Sequence, residues 1–254
     1  MVSASLIKLF IMGAVYDKIE TGAVKESDVS EKLEQMITVS DNAAANSLTM
    51  LLGSGDEEAG RKTVETWAAS IGCENVAYHR LMLAENDLQN HVTAQDCAEI
   101  LRQIYKKTCI SEAVSEKMLQ LLENQQVNDR LPLLLPEDVT VAHKTGNLSG
   151  ICIADVGIVE LKDSPYLICV ICNDPYTDGG ATREIAELSQ SVYRAFAGDG
   201  GCAPYRIVHP LLQVSAAGGV VYELLWRCRS FYSKQPGRVI FAGLVLCTDR
   251  KIDC

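Results

Sequence analysis

Nowhere in these 254 residues do eighteen apolar side chains follow one another, so no segment has the length and hydropathy of a membrane-spanning helix. Positive charge is scarce: 23 Lys and Arg stand against 33 Asp and Glu, a formal net charge of −10. No Lys/Arg cluster with interleaved aromatics occurs, and this balance argues against a general nucleic-acid binder. No cleavable leader is expected within the sequence, because the chain enters an apolar helix at once and that helix carries the candidate nucleophile. Cysteine is plentiful, at ten residues, but its spacing lacks the second paired cluster of a zinc site. Cys169 and Cys172 form a CxxC inside the apolar run Tyr166 to Cys172, where they read as small hydrophobes on a strand. The cysteines point to no particular redox compartment. What is present is material for a core. A hydrophobic content of 48% and a mean hydropathy of +0.07 fit a globular chain, long enough for one large domain or two small ones.

The first helix is apolar nearly all round (Leu6, Ile7, Leu9, Phe10, Ile11, Met12, Ala14, Val15), the signature of a buried helix. It is expected to end at Glu20-Thr21-Gly22, with the glycine as the residue after the cap. Val29, Leu33, Met36 and Ile37 follow at helical spacing behind Ser27 or Ser30 as cap. Thr38 to Asn42 is a polar break, after which Ala43-Ala44-Ala45-Asn46 resumes a helix that stops near Gly53. Val64, Trp67, Ala68 and Ile71 mark another. Between Cys73 and Val92 no period survives, and an irregular loop of that length is usually functional. Thr93 with Asp96 resembles a capping box opening a helix to about Lys107, and Ser111 caps one running to about Glu123. After Pro136 the texture changes. Val139 to Thr145, Ile151 to Leu161 and Tyr166 to Asn173 read as three successive strands of an antiparallel meander, closed by a helix over Ala181 to Ala197. From residue 199 onward Lys and Arg exceed Asp and Glu, and periodicity fades. Arg238 to Thr248 is a candidate strand; otherwise residues 199–254 form an unassigned tail, either disordered or read-through.

Ser5 and Lys8 are three residues apart, on one helical face. A lysine buried in such a helix loses stability in its charged form and becomes a usable base, and a hydroxyl beside it becomes an activated nucleophile. Taken alone, the pair also fits an N-cap serine and a snorkelling lysine. Two further short motifs follow in order. Ser40-Asp41-Asn42 sits in the break between helices, where a plain helix cap is the alternative. Lys144-Thr145-Gly146 ends a predicted strand, where a strand end followed by a turn is the alternative.

Ser-x-x-Lys, Ser-Asp-Asn and Lys-Thr-Gly in this order resemble the serine β-lactamase and penicillin-binding protein superfamily. Over roughly residues 3–197 the chain is similar to a class A β-lactamase-related serine hydrolase. The flanks Met36-Ile37-Thr38-Val39 and Ala43-Ala44-Ala45-Asn46 are typical of that family. The resemblance implies an α/β sandwich, an antiparallel sheet flanked by helices with an all-helical region, over residues 1–198. It also implies roles. Ser5 attacks a strained or activated carbonyl and becomes acylated; Lys8 takes or relays its proton. Ser40 hands a proton to the leaving nitrogen in the field of Lys144. The backbone N–H groups of Ser5 and Asn147 form an oxyanion hole. Lys144 and Thr145 of the Lys144-Thr145-Gly146 motif hold a substrate carboxylate, and Asn42 an amide side chain. The substrate is a small molecule, a β-lactam or a D-alanyl-D-alanine-like peptide, handled by a monomer with no cofactor and no metal. A peptidase or esterase with the same machinery, or a descendant that binds without turnover, are the alternatives. Family members are extracellular or periplasmic.

Class A enzymes deacylate with a loop glutamate followed closely by an asparagine. In this chain Glu85-Asn86-Asp87-Leu88-Gln89 echoes that stretch, whereas alignment on Arg80 puts an apolar residue at the glutamate position. The family also has a signal peptide, a helix and two strands before the nucleophile helix. The expectation is a truncated copy, starting at an internal methionine or valine, with a frameshifted or read-through tail; alternatively, Arg238 to Thr248 fills the vacated sheet edge.

Overall fold

Burial of the first helix organises the molecule. In the computed structural model, which describes residues 1–162 and 164–197 and the backbone of three strands beyond them, a 3-10 turn (Ala4–Leu6) leads into α1 (Ile7–Glu20). Every residue of α1 from Ile7 through Tyr16 is buried, as an apolar circumference requires. It ends where expected, Gly22 following with φ +74° and donating its N–H to Ile19 O. Around it lie α2 (Ser30–Thr38), α3 (Asn42–Leu52), α4 (Glu57–Ser70), α5 (Ala94–Tyr105) and α6 (Glu112–Glu123).

Local signals set most of these boundaries. Asp41, Asp56, Thr93 and Ser111 each accept a backbone N–H at the start of a helix, and Thr93 with Asp96 forms the expected capping box. The entry to α2 differs from expectation. Neither Ser27 nor Ser30 caps it; a 3-10 turn over Glu26–Asp28 feeds it through Val29, whose backbone does the capping work.

The meander expected after Pro136 is present as β1 (Val141–Leu148), β2 (Cys152–Val159) and β3 (Tyr166–Asn173), all antiparallel, with Lys144 opposite Val156 and Gly157 opposite Ile168. The sheet then continues. β6 (Ile240–Cys247), inside the candidate strand Arg238 to Thr248, pairs antiparallel with β3, and β5 (Gly219–Trp226) and β4 (Gln213–Ala216) follow outward. The strand order is β1-β2-β3-β6-β5-β4, which leaves β1 at one edge. The rest of residues 199–254, and with it the reading of that segment as an unassigned tail, lies outside the described residues.

One face of the sheet packs on the helices around α1, and the other on α7 (Asp178–Ala197) through Ile153, Tyr166, Ile168, Val170 and Ile185. Strand alternation splits the CxxC pair between these two cores, Cys169 facing the first and Cys172 the second. Two thiols on opposite faces of one strand cannot converge on one ion.

Gly13 is where α4 meets α1. A Cβ added there would lie 1.8 Å from the Trp67 ring. Gly13→Ala is therefore expected to lower stability by about 1–3 kcal/mol, more than the helix-propensity gain of about 1 kcal/mol restores. A denaturant midpoint that stayed level or rose would show that Trp67 can turn aside without cost.

Candidate active site

The three motifs converge at one cleft, although they come from different layers. Ser5 lies in the 3-10 turn rather than in α1 proper, and Lys8 follows one turn later inside the buried helix. The α2–α3 break delivers Ser40 and Asn42. Asp41 takes the capping role, its carboxylate accepting from Ala44 N at 2.6 Å, and Ser40 is bent into the left-handed region with φ +59°. That conformation is strained for a serine and is held by its surroundings. The edge strand β1 brings Lys144, Thr145 and Asn147.

Lys8 is fully buried, and its Nζ sits within 3.1 Å of four oxygens: Ser40 O at 2.7, Asn42 Oδ1 at 2.8, and Ser5 Oγ and Ser40 Oγ at 3.1. An ammonium has three N–H donors. When Lys8 is neutral, the two shortest contacts use its two N–H groups and leave the lone pair for the Ser5 hydroxyl. Burial pushes the Lys8 pKa down to about 8, partly opposed by the Asp41 carboxylate. Lys144 is also fully buried and is held well below the ordinary lysine value, first by desolvation and then by the positive charge of Lys8. Its Nζ donates to Ser40 Oγ at 3.0 Å and to Thr145 O at 3.0 Å. Ser40 Oγ accepts from Lys144, and a charged Lys8 is in reach of it as well, while its own O–H proton stays free to be given away.

Ala4, Ser5, Ser40, Asn42, Thr145 and Asn147 line the cleft, with the lysines behind the two serines. Asn42 spends its oxygen on Lys8, so its NH2 is what it can offer a substrate carbonyl. Gly146 does not line the cleft. A Cβ there would press on Ser3 O at 3.2 Å and on Leu6 Cγ at 3.3 Å, so the glycine lets β1 lie close against the turn that carries Ser5.

Three side chains escaped sequence reasoning. Arg130, in the connector before β1, is 1% exposed and lines the cleft, yet its Nε and Nη1 have no hydrogen-bond partner. Asp129 Oδ1 lies 3.3 Å from Nη1, but that carboxylate is itself half-exposed. A buried guanidinium with donors to spare is a seat for an anionic group. Asn46, one turn beyond Asn42, donates from Nδ2 to Met82 O at 3.0 Å and accepts from Met82 N at 2.7 Å. Asn90 accepts from His79 N and Arg80 N and donates to Arg80 O. An asparagine inside an apolar helix pattern was the available signal for Asn46, since helices disfavour it without a partner.

Together Asn46 and Asn90 settle how the irregular loop sits. Arg80, Met82 and Leu83 face the cleft; Glu85 is exposed and is not part of its wall. Met82, an apolar residue, stands on the wall two residues after Arg80.

Residues 23–196 match the β-lactamase enzyme family. The extended-spectrum β-lactamase PER-1 of Pseudomonas aeruginosa is 31% identical over 181 residues, 65% of this chain and 56% of that protein. The chain thus spans little more than half the length of this curated relative. Among solved structures, a β-lactamase from Sphaerobacter thermophilus superposes with a TM-score of 0.69 at 22% identity, over 78% of this chain and 84% of that one. PBP-A does so with a TM-score of 0.69 at 25% identity, over 77% and 81%. The fold is that of the class A enzymes, and the chain belongs to the β-lactamase enzyme family.

Proposed function

We propose that this chain is a serine acyl-transfer enzyme that opens β-lactam rings through an acyl-enzyme on Ser5. The carrying observation is the placement of Lys8 Nζ between Ser5 Oγ and Ser40 Oγ, with Lys144 on the far side of Ser40. In this reading Lys8 removes the Ser5 proton as Oγ attacks the ring carbonyl. The tetrahedral oxyanion is held by the N–H groups of Ser5 and Asn147, and Ser40 protonates the departing nitrogen. Lys144, Thr145 and Arg130 receive the substrate carboxylate, while Asn42 holds the acyl side-chain amide. The test is intact-mass spectrometry after mixing with benzylpenicillin: one ring-opened penicillin should add to the chain. A chain that gains no mass would refute this reading.

A second reading concerns the fate of the acyl-enzyme, and Met82 favours it. An apolar side chain fills the wall position two residues after Arg80, while Glu85 lies outside the wall. A thioether cannot activate water, so the adduct should persist, as suits a penicillin-binding peptidase more than a fast β-lactamase. Glu85→Gln is expected to leave adduct lifetime unchanged, whereas Met82→Glu should shorten it by about 10²-fold, the ordinary worth of a positioned general base. Fast nitrocefin turnover that collapses in Glu85→Gln would reverse both expectations.

A further inference from the structure

Behind β1 lies a buried polar cluster that acylation of Ser5 does not use. His143 precedes Lys144 on the strand and points to the opposite face. It is 1% exposed, and its Nδ1 lies 2.9 and 3.1 Å from the two oxygens of Asp155, which is fully buried on β2. The other ring nitrogen, Nε2, lies 2.9 Å from Asn128 Oδ1. Asp155 Oδ2 also accepts from Leu131 N at 3.1 Å. The connector between α6 and β1 is therefore tied to the sheet at two points, Asn128 and Leu131. Between those points stand Asp129 and Arg130, which line the cleft.

This stretch has no helix or strand of its own to hold it. Ser189 Oγ, donating to Leu131 O at 2.8 Å, secures its far end, and Gln126 N, donating to Thr38 O at 2.9 Å, secures its near end. Leu133 N closes a turn on Arg130 O at 3.1 Å. The guanidinium itself makes no compensating hydrogen bond through Nε or Nη1. Its aim depends on backbone position, and the ties on either side of it, at Asn128 and Leu131, run through the His143–Asp155 pair. His143 and Asp155, both buried, fix one geometry because any other leaves them unpaired.

We infer that His143, with Asp155 behind it and Asn128 in front, is a positioning unit that aims Arg130 at the carboxylate of the substrate. The inference rests on the proposed acylation of Ser5. It makes a claim about selectivity: His143 acts on how well the cleft tells a carboxylate-bearing substrate from the same molecule with that group masked. Ser5 Oγ itself is addressed by Lys8 Nζ, at 3.1 Å.

The experiment compares second-order acylation rates for benzylpenicillin and its methyl ester. Wild type should favour the free carboxylate, and Arg130→Gln should lose much of that preference. His143→Gln and Asn128→Ala should each cut the rate on benzylpenicillin by about tenfold or more, the scale of a misplaced binding group. The ester rate should move less than twofold. Adding Asn128→Ala to Arg130→Gln should cost nothing further, since the tether acts through a residue already removed. Asn128 is exposed, so its variant keeps the question answerable if His143→Gln does not fold. Equal losses on both substrates, no loss on either, or additive loss in the Arg130→Gln background would each overturn the inference. A wild-type chain that takes up neither probe overturns the acylation reading and this one with it, whereas the other failures leave acylation standing.

Discussion

Ser5→Ala should abolish covalent labelling by a fluorescent penicillin, a loss on the order of 10⁶-fold if the nucleophile carries what it does in other serine hydrolases. Ser5 Oγ is the hydroxyl that lies both on the cleft wall and 3.1 Å from Lys8 Nζ without being shared by Lys144. Ser40 Oγ, by contrast, accepts from Lys144 at 3.0 Å. Ser3 is the informative control. It is fully buried, its Oγ is spent on Ala4 O at 3.1 Å, and its backbone carbonyl receives Leu6 N at the base of the turn. Ser3→Ala should keep full labelling. Adduct surviving in Ser5→Ala, mapped by peptide mass to another residue, would displace Ser5 as the nucleophile.

Lys8→Arg should be inactive in acylation, with a loss of about 10²–10⁴-fold, because a guanidinium stays protonated and cannot take the serine proton. In the parent protein, acylation should rise with pH through about 8, where Lys8 gives up its proton. Lys144 is depressed too, so the assignment needs a second variant. In Lys144→Arg, whatever its rate, a rise that persists near pH 8 belongs to Lys8. A rate flat from pH 5 to 9 would remove a titrating base from the reaction.

The same shift has a stability consequence. The folded value, about 8, lies below the ordinary 10.5. Between those values the unfolded chain holds a proton on this lysine that the folded chain has released. Stability from this group therefore rises with pH across that window, and the burden of burying the ammonium is carried in full below pH 8.

Much of this molecule is written locally. The all-apolar circumference from Leu6 to Val15 specifies burial whatever packs around it, and Asp41, Thr93 and Ser111 stop and start helices through bonds that span three residues. Ser5 and Lys8 meet because a helical turn separates them, and the order of the three motifs with their residue types already pointed to the β-lactamase enzyme family. The antiparallel register of β1, β2 and β3 follows from short turns between Val- and Ile-rich runs.

Other features depend on groups far apart in the chain, and those only the tertiary structure decided. Lys144 reaches Ser40 across 104 residues, and the pairing of β6 with β3 skips over α7 and two strands. Which loop residues face the cleft depends on the Asn46 side chain, which clasps the Met82 backbone from 36 residues away. Nothing local marks Arg130, since a sequence says nothing about whether a guanidinium will find its partners. His143 and Asp155 sit in strand patterns that the period of two assigns to a face, but only the register that sets Asp155 opposite Thr145 puts the carboxylate beside the imidazole. Short-range bonds and periodicity can be read from neighbours. The environment that lowers a lysine, leaves an arginine unsatisfied or joins a loop to a strand is a property of burial, and burial exists only once the distant parts of the chain have packed.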